Sequence, residues 1–429
     1  MGNCEMNLNR YPKYKPTGIA WLPEVPEGWE VRKVRQLLTM VSRKGFPEKQ
    51  LLSVTREQGV VVRDVESKEE NHNFIPDDLS NYKLVEVGDF VINKMKAWQG
   101  SYGVSASEGI VSPAYYTCKL SGVDRRFFSV AIRSKAYVSF FAQLSKGIRV
   151  GQWDLSPMAL KEIPFLFPPL ATQQSIVAFL DEKCGKIDRW VAAKEREVAL
   201  LKELEQAMIA EAVTGATKVA RTDTARKMKP SGIPWLPEVP EGWEVKKVRQ
   251  HFRLRSEKVS EQDYPPLSVA KVGVVPQLAD VAISMAQGET RKLVRAGDYV
   301  VNSRSDRKGS CGIAPQDGSV TTISIVLEPR QIDRQFVHYL FRSTPWVEEF
   351  YRNGRGIVAD LWTTRYQEMR NMAFPLPPLA EQREIVAYIE ARAAKIDAAV
   401  AGLEREVAAM KEYKQRLIAD VVTGQRKVA

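Results

Sequence analysis

The chain has 429 residues, of which 44% are hydrophobic and 27% charged, a balance that suits a globular protein with two or three cores. Its formal net charge of +11 makes a polyanion a natural partner, because each Lys or Arg that neutralises a phosphate releases a condensed counterion. It holds no run of about 18 apolar residues, and its start, MGNCEMNLNR, lacks an apolar stretch; neither a membrane helix nor a signal peptide is expected, and the expected location is cytoplasmic.

After an N-terminal segment (1–15), residues 16–31 read PTGIAWLPEVPEGWEV. Residues 230–245 read PSGIPWLPEVPEGWEV, identical at fourteen of sixteen positions with an offset of 214. Trp-Pro clusters bind partners or pin an incoming chain against a core; the second is the expectation here. Between 16 and 170 the runs LLSVTREQGVVVRD, GDFVINKMK and VSPAYYTCKL read as strands, and between 230 and 379 the runs PLSVAKVGVV, GDYVVNSRS and SVTTISIVLE do the same. Val, Ile, Tyr and Thr favour a pleated surface, and Gly and Pro punctuate it. Residues 124–144 and 333–351 each read as a helix.

Two proline-free stretches, 171–213 and 380–422, are rich in Ala, Glu, Lys and Leu. The second carries a heptad with Val386, Ala393, Val400, Val407, Lys414 and Val421 at a, and Ile389, Ile396, Leu403, Met410 and Leu417 at d. The first keeps that frame, with Val177, Cys184, Val191, Val198, Glu205 and Ala212 at a and Leu180, Ile187, Lys194, Leu201 and Met208 at d. A sustained seven-residue apolar period calls for a coiled-coil seam. Each helix begins after Pro-Pro-Leu and stops at Thr-Gly, where glycine suits the cap. The short basic linker (215–229) makes an antiparallel pair the expectation. Glu205 and Lys414 at equivalent a positions pull the other way, since they share a layer only in a parallel pair. The whole is therefore expected to be α+β: two pseudo-symmetric α/β domains (16–170 and 230–379) separated by two long antiparallel coiled-coil helices (171–214 and 380–424), with a C-terminal tail (425–429). Excess positive charge lies in the globular segments and the tail, while the helices are slightly acidic.

The copies repeat their framework and differ elsewhere. Gly88-Asp89-Phe90 aligns with Gly297-Asp298-Tyr299, Asn93 with Asn302, and Trp153 with Trp362. Directly after the asparagine, KMKAWQGSYG stands against SRSDRKGSCG. One loop offers Lys94, Lys96, Trp98, Gln99, Ser101 and Tyr102; the other offers Ser303, Arg304, Ser305, Arg307, Lys308 and Ser310. Arg and Lys bond guanine edges, Gln pairs with adenine, and Ser contacts bases or phosphates. A solvated loop on a drifting duplicate is the plainer reading. A second divergent patch supplies Lys146, Arg149 and Gln152 against Arg352 and Arg355, with glycines that permit close backbone approach. Arg56 and Lys271 hold a third equivalent position, a weaker candidate for phosphate contact.

Catalytic signatures are missing. There is no G-x-x-x-x-G-K-[ST] loop for ATP, no Asn/Asp-Pro-Pro-aromatic tetrad for amino methylation, and no nuclease-like set of carboxylates and lysine. Four scattered cysteines and three scattered histidines make neither a zinc site nor a nucleophile–base pair, and they suit a reducing compartment. No catalysis, cofactor or metal is expected of this chain itself.

Two PPLAxQxxIV helix starts, two WLPEVPEGWEV segments and two helices ending in Thr-Gly closely resemble the specificity subunit of type I restriction–modification systems, over nearly the whole chain. The resemblance implies two target-recognition domains, each reading one half of a split double-stranded DNA target, and two helical regions packed antiparallel that set the spacer. It further implies two DNA-methyltransferase subunits bound around the helices and restriction/translocase subunits joining that core; these partners would use S-adenosylmethionine, ATP and Mg. The first helix departs in having Thr172 where the second has Glu381. The recognition loops are what such a family varies, so their roles do not carry over. Alternatives are a stand-alone bipartite DNA-binding protein, the specificity subunit of a related methylation-only or phage-defence system, and a scaffold without DNA binding.

Overall fold

The computed structural model describes residues 10–64, 75–147, 153–217, 219, 227–277, 291–356 and 362–428. The chain divides into two compact units, one made of residues 1–194 with 405–429 and the other of residues 195–404. Both long helices contribute to both units.

In the first unit, the lead-in forms an antiparallel hairpin, Tyr14–Ile19 with Leu22–Pro26. Strand Glu30–Lys33 then pairs with Pro164–Phe167, which brings the two ends of the domain side by side. A four-stranded antiparallel sheet follows in the order Leu38–Val41, Tyr116–Leu120, Phe90–Ile92 and Tyr102–Val104. A separate hairpin arm, Leu52–Thr55 with Gly59–Val62, stands beside it. Phe90 and Tyr102 turn from the sheet into the core, where Phe128 meets Phe90 edge-on at 5.1 Å and Phe141 stacks on Tyr102 at 4.3 Å. Such ring pairs add to plain area burial.

The second unit repeats the plan. Its lead-in hairpin is Met228–Ile233 with Leu236–Pro240. Its four-stranded sheet runs Phe252–Arg255, Ile325–Pro329, Tyr299–Val301 and Cys311–Ile313, and its hairpin arm is Leu267–Ala270 with Gly273–Pro276. Trp346 stacks on Phe341 at 4.2 Å in its core.

The helices expected over 124–144 and 333–351 are each two helices. Arg125–Ile132 is followed by Lys135–Leu144, and Arg334–Arg342 by Thr344–Arg352. The break falls at Ser134 and at Ser343, both in extended backbone, and Pro345 lies in the first turn of the last helix, where its missing N–H costs nothing. Asp124 and Asp333 cap the leading helices, accepting from the Phe127 amide and from the Gln335 and Phe336 amides.

The long helices span Leu170–Thr214 and Leu379–Val422. They are antiparallel within each unit. In the first, Ile176, Leu180, Ile187 and Val191 of the first long helix share a core with Val407, Leu417 and Val421 of the second. In the other, Met208, Ile209, Ala212 and Val213 share a core with Ile385 and Ile389. The seam is thus the coiled coil the heptads foretold, with late residues of one helix beside early residues of its neighbour. In each lead-in the second tryptophan, Trp29 or Trp243, is core at 2% and 1% exposure, while the first, Trp21 or Trp235, is half-buried and Pro23 and Pro237 are exposed. Glu381 accepts a 2.9 Å hydrogen bond from Trp243 Nε1.

Candidate nucleic-acid interface

Each divergent loop hangs from the same neck. The Asn93 amide donates to the Ser101 carbonyl at 3.0 Å, and the Asn302 amide to the Ser310 carbonyl at 2.9 Å. Gly100 (φ +92°) and Gly309 (φ +77°) make the left-handed turn that a side chain would strain. Between those fixed ends, one loop winds into a 3-10 helix at Lys94–Gln99, and the other makes a shorter turn at Ser305–Arg307.

The neck corrects part of the sequence reading. Ser101 and Ser310 close it and are 2% and 3% exposed. Tyr102 is the core ring described above, wholly buried, its hydroxyl donating to the Ile132 carbonyl at 3.2 Å and its phenol pushed far up by burial. Ser303 is 4% exposed and donates to the Ile323 carbonyl at 2.8 Å. These four serve the fold and do not face a ligand. Lys94, Trp98, Gln99, Arg304 and Lys308 each keep part of their surface exposed. Lys96 and Arg307 are exposed. Lys94 is ion-paired to Asp154 at 2.9 Å, a bond that raises its pKa. Trp98 and Trp153 lie 5.0 Å apart, and among the described residues no acceptor reaches the buried Trp98 Nε1. In the second loop, Arg304 sits 3.2 Å from Asp306, and Lys308 bonds Glu348 at 2.5 Å. Ser305 opens the turn of that loop.

In the second patch Lys146 is exposed, as are Arg352 and Arg355, which pair with Glu349 at 3.3 Å and Glu368 at 3.6 Å. Arg149 and Gln152 lie outside the described residues. Arg56 and Lys271 both stand exposed at the tip of a hairpin arm.

The structure gathers these residues differently in the two units. In the first, Arg56 and Gln99 line a cleft of about 890 Å³ with Arg133, Lys135 and the helix residues Lys411 and Lys414. In the second, Arg304 and Arg307 line a cleft of about 740 Å³ with Asn302, Arg291 and the strand Leu267–Ala270 of the hairpin arm. Arg291 is 8% exposed and holds Ser319 through two bonds, to Oγ at 2.9 Å and to the carbonyl at 3.0 Å. Both clefts are open and carry cations of which several are already neutralised, a surface suited to a hydrated polyanion. Sequence reasoning missed Arg133, Lys135 and Arg291. For Arg133 a signal existed: Ile132-Arg133-Ser134 repeats as Phe341-Arg342-Ser343 at the offset of 209.

Among the described residues no group of three or more His, Cys, Asp or Glu side chains could hold a metal ion, and no helix is long and apolar enough to cross a membrane.

No family model matches the chain. It is 22% identical to the putative type I restriction enzyme MjaX specificity subunit of Methanocaldococcus jannaschii, over 97% of both proteins. It is 21% identical to the EcoKI specificity subunit of Escherichia coli K12, covering 94% of this chain and 90% of that one. A chain from a solved structure on the complex assembly of a type I R-M system superposes with a TM-score of 0.65 over 93% of this chain and 99% of that chain at 15% identity, so the two share a fold. End to end, then, a chain with a duplicated framework and antiparallel long helices is similar to curated type I restriction-enzyme specificity subunits and shares the fold of a chain from a type I R-M system.

Proposed function

We propose that this chain gives a type I restriction–modification complex its DNA specificity, each unit reading one half of a bipartite target. The observation that carries this reading is the shared neck with unlike contents. Asn93–Ser101 and Asn302–Ser310 close in the same way, yet one presents Lys96, Trp98 and Gln99 and the other Arg304, Arg307 and Lys308. A common scaffold with different reading residues is what two different half-sites require. Phosphate contacts fix register, and base-edge contacts then discriminate.

The long helices take two roles in this reading. They set the spacer between the half-sites, and they dock two methyltransferase subunits. Restriction subunits join that core. The chain itself performs no bond chemistry; its partners bind S-adenosylmethionine, ATP and Mg, and the complex works in the cytoplasm.

The test is the methylome of a host that expresses this chain with its neighbouring methyltransferase. The expected result is one bipartite motif with a fixed spacer, and a chain lengthened by one turn in both long helices shifts that spacer. Methylation of a continuous motif, or of none, overturns the reading. An unaltered spacer overturns the role given to the helices.

A further inference from the structure

Each unit contains an arginine whose work is done inside the protein and whose effect falls on the exposed hairpin tip. Arg133 sits in the break between helices Arg125–Ile132 and Lys135–Leu144. Its Nη2 donates to the carbonyls of Arg56 at 3.1 Å and Glu57 at 2.7 Å, and its Nη1 to the Tyr102 carbonyl at 3.4 Å. Arg342, at the end of Arg334–Arg342, repeats the grip: Nη1 donates to the Cys311 carbonyl at 3.1 Å and Nη2 to the Lys271 carbonyl. One guanidinium thus ties the hairpin tip to the sheet in each unit, a task suited to a planar fork of five donors and unsuited to the single point of a lysine.

The backbones beneath the grip nearly touch. A Cβ on Gly103 would come 3.1 Å from Gly59 Cα, and one on Gly312 would come 3.1 Å from Gly273 Cα. Framework residues therefore fix where the arm leaves the sheet. Beyond that point the tips diverge. Three residues separate Thr55 from Gly59, and two separate Ala270 from Gly273. The Arg56 side chain is 68% exposed and lines the same cleft as Gln99, while Val272 at the other tip is 79% exposed. A fixed base beneath a tip of unlike content repeats what the loops at the neck show, here with unlike length as well.

We infer that Arg133 and Arg342 are positioning residues for specificity, holding the two hairpin tips so that Arg56 and Lys271 each meet a phosphate of their own half-site. The inference rests on the reading that each unit contacts DNA. Neither arginine touches DNA in this account; each acts through the tip carbonyls. Burial lowers the Arg133 pKa, as desolvation of a guanidinium does.

The test uses the full chain and duplexes carrying the bipartite motif found from methylation, whole or with one half scrambled. Binding is followed as salt is raised. Arg133→Gln is expected to flatten the dependence of log K on log salt by about one, the loss of a single phosphate contact. Arg56→Ala gives the same change, and the double variant shows no more than either alone. Arg342→Gln and Lys271→Ala behave likewise for the other half-site only. Additive losses in the double variant, or equal losses at both half-sites, would overturn the assignment. Arg133→Lys guards against a variant that fails to fold. It keeps the charge and loses the fork, so amide exchange in 52–62 quickens without DNA while the sheet strands stay protected; unchanged exchange there overturns the inference. If the wild-type chain binds no bipartite duplex, the underlying reading has failed instead.

Discussion

Gln173 and Gln382 are the glutamines of the repeated PPLAxQ motif, and each is almost fully buried. Gln173 Oε1 accepts from the Asp124 amide at 2.9 Å, and its Nε2 donates to the Pro168 carbonyl at 2.8 Å. Gln382 makes both bonds again, to the Asp333 amide and the Pro377 carbonyl at 2.8 Å each. One side chain thereby fastens the start of a long helix to the cap of a domain helix. Gln173→Ala leaves a buried donor and a buried acceptor unmet, which costs about 2–4 kcal/mol at the usual penalty for two such groups. Urea unfolding of the full chain checks this, with exposed Gln174→Ala as control; equal losses would refute it. The motif was plain in the sequence as a repeat, but its reason was not, because the two groups it satisfies lie 49 residues upstream and 5 residues upstream of it. The same limit shaped the candidate interface. Comparing two copies marks where they differ, and so it found both loops at the neck. It does not tell which way a residue turns, and so it included Ser101, Tyr102, Ser303 and Ser310, which close the neck or fill the core.

At the scale of the helices, the heptads revealed the seam and misled about one layer. Glu205 and Lys414 occupy equivalent positions, and a reading that pairs like positions asks for a parallel coil. In the antiparallel coil each faces an aspartate of the neighbouring helix instead. Lys414 Nζ bonds Asp188 at 2.6 and 2.7 Å. Asp397 stands in the place of Asp188 at the offset of 209, and it faces Glu205. The first unit therefore has an ion pair where the second has two carboxylates. Burial, and then Asp397, push the Glu205 carboxyl up from its ordinary value. A carboxyl raised in the folded state holds its proton longer there than in the unfolded chain. Its contribution is most favourable below the ordinary carboxylate range and declines as pH rises through the raised value. Glu205→Lys replaces repulsion with a pair like that of Lys414. It should stabilise the second unit by about 0.5–1 kcal/mol at neutral pH, the scale of a partly exposed ion pair, and remove that part of the pH dependence. Thermal melts of the variant from pH 4 to 8 decide the matter; a lowered melting temperature at pH 7 would count against the layer as described.

The whole chain is a duplication in which each lead-in hairpin receives the end of a long helix. Gly424 ends the second long helix against Pro26 and Trp29, and the Tyr14 hydroxyl donates to its carbonyl at 2.8 Å. Gly215 ends the first against Pro240 and Trp243. Both glycines are left-handed, at φ +74° and +80°, and both are crowded. A Cβ on Gly424 would lie 2.5 Å from Pro26 Cδ, and one on Gly215 would lie 2.6 Å from Pro240 Cδ. The first unit thus takes part of its core, including Val421, Val422 and Val428, from residues far along the chain. Two domains and two helices were legible from the repeats, but this division was not, since sequence order suggests that each domain is complete before its helix begins. The division has a consequence that separates the two glycines. Gly424→Ala combines left-handed strain with a clash against a proline ring, for a loss of about 2–3 kcal/mol. That loss belongs to residues 10–194 and 405–428, so hydrogen exchange should quicken there while 227–404 stays protected. Gly215→Ala should do the reverse, although the substituted residue precedes the whole of the second domain. Equal loosening of both units by either variant would mean that the helix ends are shared struts of one cooperative body, and the two-unit description would have to be given up.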